Sequence, residues 1–83
     1  MKYEIQVNVM PLEALLDPQG RAVQQTMHQA GYSNVERVRI GRHIVVQVEA
    51  EDENEARVQA NELCTKLLSN PIMEGFEFTI VPL

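Results

Sequence analysis

Hydrophobic side chains along this chain follow two different spacings, and their order limits the elements that the chain can form. From Tyr3 to Val9 apolar and polar residues alternate one by one, as in a strand with one buried face. Pro11 ends this alternation, and an apolar connection with Leu12, Leu15 and Leu16 follows. After it the spacing becomes helical, so the sequence predicts a strand followed by a helix.

The run Asp17-Pro18-Gln19-Gly20 is typical of a helix start. Aspartate is a favoured N-cap, and proline suits the first helical position because its missing N–H costs nothing there. Gly20 is unusual, since glycine inside a helix costs ~0.8–1 kcal/mol relative to alanine. Its missing Cβ predicts the close approach of another backbone or of a ligand. The alternative is that Gly20 is only a loop residue near a helix end.

The first predicted helix has a thin apolar side and ends at Gly31. The apolar side consists of Ala22, Val23, Thr26, Met27 and Ala30. A β-hairpin is predicted next, because apolar residues alternate from Val35 to Ile40 and again from Ile44 to Val48, with a turn at Gly41-Arg42.

The second predicted helix starts at the N-cap Asp52 and ends at Asn70-Pro71. Its buried stripe is predicted to consist of Ala56, Ala60, Leu63, Cys64 and Leu67. A last strand is predicted around Phe76, Phe78 and Ile80, which alternate with polar residues.

The element order is strand, helix, strand, strand, helix, strand, which predicts an α+β, ferredoxin-like (split βαβ) sandwich. Residues 1–83 then form one domain with a four-stranded, mainly antiparallel sheet and two helices on one face. The other face is predicted to carry Glu4, Gln6, Asn8, Arg37, Arg39, Val45, Gln47, Glu49, Glu77 and Thr79. Such a polar face suits either a wet interface with another subunit or plain solvent.

Length and charge exclude several classes of function. A domain of 83 residues buries only about 60–65% of its unfolded surface, so oligomerisation would add stability. The net charge of −5 disfavours nucleic acid as a partner. No apolar run approaches the ~20 residues that span a bilayer. With no signal-peptide pattern and a single cysteine, the expected location is cytoplasmic.

The residues capable of chemistry form no recognisable catalytic or metal-binding motif. Cys64 lies on the apolar side of the second helix, where a thiol acts as a small hydrophobe with a raised pKa. His28 and His43 are predicted to be surface residues, because neither has a partner at metal or triad spacing. The glycines are isolated, so no phosphate-binding loop is predicted. Interaction or regulation remains as the function of this chain.

Three motifs in register resemble one family. They are Asp17-Pro18-Gln19-Gly20 with Ala22-Val23, then Val38-Arg39-Ile40-Gly41, then the run from Cys64 to Pro71 with Ile72 and Glu74. Together they resemble the PurS family, the small subunit of phosphoribosylformylglycinamidine synthase, over essentially the whole chain. One departure is Arg42, where many members carry lysine, and this change keeps the charge.

The resemblance implies a non-catalytic subunit of a purine-biosynthesis complex. In that family a glutaminase subunit releases ammonia, and a large ATP-dependent subunit uses the ammonia to convert formylglycinamide ribonucleotide to formylglycinamidine ribonucleotide. The small subunit, usually a dimer or a higher oligomer, bridges the two and assists ammonia transfer. ATP and Mg are then expected in the large subunit, and no cofactor, metal or catalytic residue in this chain.

The residues expected at the partner interface lie at the first helix start and around the predicted hairpin. They are Asp17, Gln19, Gly20, Arg37, Arg39, Gly41 and Arg42. Alternatively, Arg37 and Arg39 pair with Glu49 or Glu77 across the sheet, and Asp17 only caps its helix. A different class of function also stays open, a stand-alone dimeric regulatory domain that binds a small ligand.

Overall fold

The structure, a computed structural model, describes residues 1–13 and 17–83. The strands are β1 (Lys2–Pro11), β2 (Arg42–Glu49) and β3 (Glu74–Pro82). The helices are α1 (Pro18–Gln29) and α2 (Glu53–Leu63), and a π-helical segment, Cys64–Leu68, continues α2. Leu15 and Leu16 of the predicted apolar connection lie outside the described residues.

β1 is the central strand of an antiparallel sheet in the order β2-β1-β3. Its alternating residues Tyr3, Ile5, Val7 and Val9 are all buried, which confirms the predicted inner face. They pair with Val48, Val46 and Ile44 on β2, and with Ile80, Phe78 and Phe76 on β3. We call this side of the sheet the inner face.

α2 covers β1 and β3 on the inner face. Its contact residues Ala56, Ala60 and Cys64 are fully buried, and their small side chains let the helix lie close to the strands. Asp52 caps α2 as predicted, because its carboxylate accepts a hydrogen bond from the Glu55 amide at 2.9 Å. The hydrophobic core thus lies between one helix and the sheet.

The prediction of a fourth strand at residues 35–40 was wrong in the described part of the chain, where the sheet has three strands. This segment runs back along α1 instead. Gln24 Nε2 donates to the Glu36 carbonyl at 3.1 Å, and the His28 ring donates to the Val35 carbonyl at 2.7 Å. The alternation of apolar residues therefore correctly indicated an extended segment at residues 35–40, but this segment bonds to helix α1 and not to a strand.

α1 does not pack on the sheet, so the predicted pair of helices on one face was also wrong. Only Gly20 of α1 is buried, and the described residues show no extensive contact between α1 and the sheet or α2. We call residues 17–41, which comprise α1 and the returning segment, the arm. Gly31, with φ of 102°, makes the predicted stop between helix and return.

The arm extends the molecule along the strand direction. The chain measures 51 × 27 × 14 Å, and its radius of gyration is 16.4 Å, against about 12 Å for a compact chain of this length. A ten-residue strand spans about 33 Å and a twelve-residue helix about 18 Å. Their sum matches the long dimension, so β1 and α1 lie roughly end to end.

The π-helical segment shifts the apolar side of the second helix. Leu67, predicted to be buried, is 74% exposed, whereas Leu68 packs against the core. The Ser69 amide donates to the Cys64 carbonyl at 3.1 Å, five residues back. Because a π-turn contains an extra residue, the side chain that follows Cys64 on the buried side is Leu68.

The outer face of the sheet is polar, as predicted for the strand residues. The register places on it Glu4, Gln6, Asn8, Val45, Gln47, Glu49, Glu77 and Thr79. Asn8 links the two edge strands, since it accepts from the His43 ring at 2.7 Å and donates to Glu77 at 3.5 Å. Arg37 and Arg39 were predicted here wrongly, because they belong to the arm.

Candidate functional site at the base of the arm

Three segments that are far apart in sequence meet where the arm joins the sheet. They are residues 17–20 at the start of α1, residues 38–42 at the end of the arm, and residues 69–74 before β3. We call this meeting point, together with Pro11 at the end of β1, the junction. It brings together the three motifs that the sequence singled out.

Asp17 joins two parts of the arm through one carboxylate. Oδ1 accepts a hydrogen bond from the Gly20 amide, and Oδ2 accepts one from the Ile40 amide, each at 2.9 Å. The first contact confirms the N-cap, and the second shows that Asp17 does more than cap. The Gly20 amide and then the Ile40 amide lower the pKa of Asp17 below its ordinary value.

Gly20 allows the closest approach in the arm. A Cβ at this position would lie 2.1 Å from the Val38 carbonyl oxygen, so only glycine fits. The predicted close approach is confirmed, and the approaching backbone belongs to the same chain. Gly41 is similarly placed, because a Cβ there would lie 2.2 Å from the Val9 carbonyl oxygen.

Arg37 and Arg39 attach the arm to the end of β1. Arg37 donates to the Glu13 carbonyl at 3.3 Å, and Arg39 donates to the Pro11 carbonyl. Arg39 also lies 3.6 Å from the Glu13 carboxylate. The alternative pairing with Glu49 or Glu77 was wrong, because the returning segment does not enter the sheet.

Arg42 ties both edges of the sheet together. It donates to the two carboxylate oxygens of Glu74 at 2.8 and 2.9 Å and to the Leu68 carbonyl at 3.1 Å. Glu74 also accepts from the Asn70 amide at 2.8 Å, and this amide, followed by Arg42, lowers the pKa of Glu74. Sequence reasoning did not choose Glu74 as a site residue, and its place in the third motif was the only signal.

A cavity of about 350 Å³ opens at the junction. Its lining residues are Pro11, Asp17, Pro18, Gln19, Asn70, Met73 and Glu74. Asp17 and Gln19 are thus the predicted interface residues that line it. The other five predicted interface residues do not line the cavity. Their contacts, given above, fix the positions of the segments around it; they are Gly20, Arg37, Arg39, Gly41 and Arg42.

The cavity combines apolar walls with carboxylates that stay charged at neutral pH. Both lowered pKa values make these carboxylates poor bases, and their oxygens already accept hydrogen bonds from the chain. Large apolar side chains lie close by in sequence, since Ile72 is 81% and Met73 is 55% exposed. A rigid recess beside exposed apolar residues suits the docking of a partner's side chain.

The other residues considered for chemistry lie away from the junction. Cys64 is fully buried in the core, and burial raises the pKa of its thiol, as predicted. His28 and His43 are exposed and bind neighbouring oxygens. Among residues 1–13 and 17–83, no three His, Cys, Asp or Glu side chains are grouped to hold a metal, and no helix is long and apolar enough to cross a membrane.

Comparison with known proteins gives a consistent result. The PurS family model, described as phosphoribosylformylglycinamidine (FGAM) synthase, matches residues 4–82. The PurS subunit of Synechocystis sp. is 40% identical over 98% of this chain and 81% of its own length. The Bacillus subtilis subunit is 37% identical over 94% of this chain and 92% of its own length.

Solved structures agree with the sequence relatives. B. subtilis PurS superposes with a TM-score of 0.87 at 36% identity, covering 96% of this chain and 99% of that one. A chain of PurLQS from Thermotoga maritima superposes with a TM-score of 0.89 at 25% identity, covering 98% and 99%. With its three motifs joined at the base of the arm, the chain belongs to the PurS family, whose members are subunits of phosphoribosylformylglycinamidine synthase in purine biosynthesis.

Proposed function

We propose that this chain bridges the glutaminase subunit and the large ATP-dependent subunit of phosphoribosylformylglycinamidine synthase. The complex converts formylglycinamide ribonucleotide, glutamine and ATP to formylglycinamidine ribonucleotide, glutamate, ADP and phosphate. The observation that carries the proposal is the match, over nearly the whole of both chains, to a chain of the T. maritima PurLQS structure. In this proposal ATP and Mg bind the large subunit, and this chain contributes no catalytic residue.

The physical value of a bridge lies in effective concentration. Ammonia released at one active site is diluted or protonated unless the second site is close. A subunit that binds both enzymes keeps the two sites together without new chemistry. The working location in this proposal is cytoplasmic.

The junction is the proposed contact with one of the two enzymes. Its hydrogen bonds fix the cavity before a partner arrives, so little side-chain freedom is lost on docking. Among the residues that the structure describes, Ile72 is the most exposed large apolar one at 81%, and it precedes cavity-lining Met73 in the sequence. A partner that covers Ile72 and inserts a side chain into the cavity removes this apolar surface from water.

A second copy of the chain is the third proposed partner, in a dimer or tetramer. The support is the elongated shape, with a radius of gyration of 16.4 Å, and the uncovered helix α1. The outer sheet face, crossed by the row Glu77-Asn8-His43, offers a further polar surface for association.

The test is a reconstitution of the complex from its three kinds of chain. Formation of formylglycinamidine ribonucleotide is measured with glutamine and, separately, with free ammonia. Omission of this chain is expected to abolish the glutamine-dependent rate and to spare the ammonia-dependent rate. Equal glutamine-dependent rates with and without the chain would contradict the bridging role.

A pair of variants locates the contact in the same assay. Ile72→Glu places a charge on the proposed apolar contact, so we expect weaker assembly and at least a tenfold higher concentration of chain for half-maximal activity. Val58→Glu is the matched control, because Val58 is 60% exposed on α2 and lies opposite its buried side. Equal behaviour of the two variants would remove the junction from the interface.

A further inference from the structure

The long outer side of β3 is an open edge of the sheet. The strand order β2-β1-β3 leaves this side without a strand partner in the described part of the chain. β3 contacts β1 and α2, and α2 lies over the inner face rather than along the edge. An unpaired edge presents backbone N–H and C=O groups, so it is a surface on which another strand can pair.

The hydrogen bonds between β1 and β3 show which backbone groups of β3 point outwards. The Leu83 amide donates to the Lys2 carbonyl at 2.9 Å, and the Leu12 amide donates to the Met73 carbonyl at 3.0 Å. In an antiparallel pair every second residue bonds to the partner strand. The register of β3 on β1 therefore directs the backbone groups of its odd-numbered residues to β1 and those of its even-numbered residues away from the sheet.

The outward backbone groups are limited at both ends of β3. The Glu74 amide already donates to the Asn70 carbonyl at 2.7 Å, and Pro82 has no N–H to offer. Between them lie three outward residues whose N–H groups have no acceptor among residues 1–13 and 17–83, namely Phe76, Phe78 and Ile80. We call these three residues the window.

The two faces beside the window differ in character. On the inner face Phe76 and Phe78 are half-buried, and their rings stack with centroids 6.5 Å apart. On the outer face Glu77 is exposed, and it makes no ion pair with any residue that the structure describes. A strand added here would thus meet apolar side chains on one face and a negative charge on the other.

Charge selects the kind of strand that fits. β3 contains Glu74 and Glu77 but no lysine or arginine. Opposite charges on neighbouring strands attract each other and like charges repel. A second copy pairing through the same edge would add a second Glu77 and no basic residue, and each chain carries a net charge of −5. The window therefore fits a basic segment of a different protein.

The bridging role also requires a second surface. The junction can hold one enzyme, but a bridge must hold two. The window begins two residues after Glu74 at the junction and ends at Ile80, about 20 Å further along the strand. The window is thus a separate surface that extends away from the junction.

We propose that an extended segment of one enzyme of the complex pairs with the window as a further strand. Its apolar side chains continue the inner face over Phe76 and Phe78, and a lysine or arginine on its other side lies beside Glu77. The enzyme is the one that does not occupy the junction. The inference rests on the bridging role in the proposed function and adds the second of the two surfaces that this role needs.

Hydrogen exchange in the reconstituted complex tests the pairing. Amide exchange of the chain, free and in the complex, is read by NMR after quenching in an aprotic solvent. The amides of the window are expected to exchange at least tenfold more slowly in the complex. The amides of Glu77 and Thr79 are the internal reference, because they bond to β1 in both states. Window amides that exchange equally fast in both states, or that are already slow in the free chain, would overturn the proposal.

Removal of one outward N–H tests the window in binding. A synthetic peptide of residues 64–83 with an N-methyl group on Phe78 is ligated to residues 1–63 at the native Cys64. This amide makes no bond in the described chain, so circular dichroism is expected to match that of the ligated chain without the methyl group. We expect at least tenfold weaker binding to one separate enzyme and unchanged binding to the other, which Ile72→Glu should weaken instead. Unchanged binding of the methylated chain to both enzymes would overturn the proposal.

The charge of the partner segment is tested with Glu77→Lys. This change is expected to weaken binding of the same enzyme at least threefold. Glu62→Lys is the matched control, because Glu62 is exposed on α2 and makes the same change in net charge. Equal weakening by the two variants would overturn the choice of a basic segment.

The activity assay separates this inference from the bridging role. A methylated chain that restores the full glutamine-dependent rate at the same concentration as the unmethylated chain would overturn strand pairing and leave the bridge intact. A glutamine-dependent rate that needs no chain at all would overturn the bridge itself.

Discussion

Two N-cap aspartates in this chain perform different tasks at the scale of single residues. Asp52 accepts one amide, that of Glu55, within its own helix start. Asp17 accepts the Gly20 amide of its helix and the Ile40 amide at the end of the arm. The same residue type in the same local sequence position therefore fixes a helix in one case and a tertiary contact in the other.

Hydrogen exchange separates these tasks. Asp17→Ala is expected to speed exchange at both Gly20 and Ile40, because both amides lose their acceptor. Asp52→Ala is the control and is expected to speed exchange at Glu55 without affecting Ile40. The measurement is amide exchange by NMR. Unchanged protection of Ile40 in Asp17→Ala would contradict the bridging contact.

The fold is expected to lose stability in acid, because the junction contains the carboxylates of Asp17 and Glu74. Their pKa values are lowered from the ordinary 3.8 of Asp17 and 4.5 of Glu74. A carboxyl with a lower pKa in the folded state stabilises the fold above its unfolded pKa, and this contribution is lost as the pH falls through the folded pKa. Melting temperature is therefore expected to fall steeply below about pH 4.

The variant Asp17→Asn with Glu74→Gln tests the assignment of this acid transition. Without the two titrating groups, the melting temperature should depend less on pH in the same range, from a lower starting value near pH 7. Identical slopes for the variant and the parent chain would assign the transition to other carboxylates.

At the scale of elements, the glycines at the junction decide where the arm lies. A Cβ on Gly20 would meet the Val38 carbonyl, whereas a Cβ on Gly75 would meet only Leu12 Cδ2 at 3.7 Å. Gly75 is thus a matched control, because a Cβ there makes only an ordinary van der Waals contact. The two positions distinguish a glycine that the fold requires from one that it tolerates.

Gly20→Ala is expected to lower the free energy of unfolding by about 1–3 kcal/mol, as for overpacked sites. Gly75→Ala is expected to leave it unchanged or raise it by up to about 1 kcal/mol, since alanine has less freedom in the unfolded chain. Urea unfolding followed by circular dichroism measures both. A tolerated Gly20→Ala would show that the arm is not held against Val38.

The end of α2 gives a second prediction for an element. Leu68 packs against the core and Leu67 is 74% exposed. Leu68→Ala is expected to cost about 2 kcal/mol of stability, and Leu67→Ala less than about 0.5 kcal/mol. An uninterrupted α-helix would give the opposite order, so chemical denaturation of the two variants tests the π-helical segment directly.

The sequence predicted correctly those elements whose apolar residues are buried within the same chain. The alternation in β1, the caps of both helices and the small buried residues of α2 all agree with the structure. The position of the arm was not predictable, because the apolar side of α1 indicates that the helix packs on some surface but does not identify that surface. Likewise, the three motifs could be located in the sequence, but the Arg42 to Glu74 contact across β1 depends on the strand order.

At the scale of the whole molecule, the hydrophobic core is small for a chain of this length. The arm adds surface without adding core, because of its residues only Gly20 is buried. Stability is therefore expected to come in part from association. This holds whichever surface the second copy contributes.

Unfolding should then depend on protein concentration. If two chains fold as one dimer, each tenfold increase in concentration stabilises the folded state by about 1.4 kcal/mol. The midpoint of urea unfolding is expected to rise accordingly over a hundredfold range of concentration. A midpoint that stays constant, together with a monomer mass in sedimentation, would contradict self-association.

The central position of β1 has a consequence for how the protein folds. β1 begins at Lys2 and pairs on one side with β3, which ends at Pro82, and the Leu83 amide donates to the Lys2 carbonyl at 2.9 Å. Two strands that lie far apart in the sequence thus pair side by side, and such distant pairing folds slowly. The apolar side of β1 is completed only when β3 joins it, so this pairing is expected to be a slow step of folding.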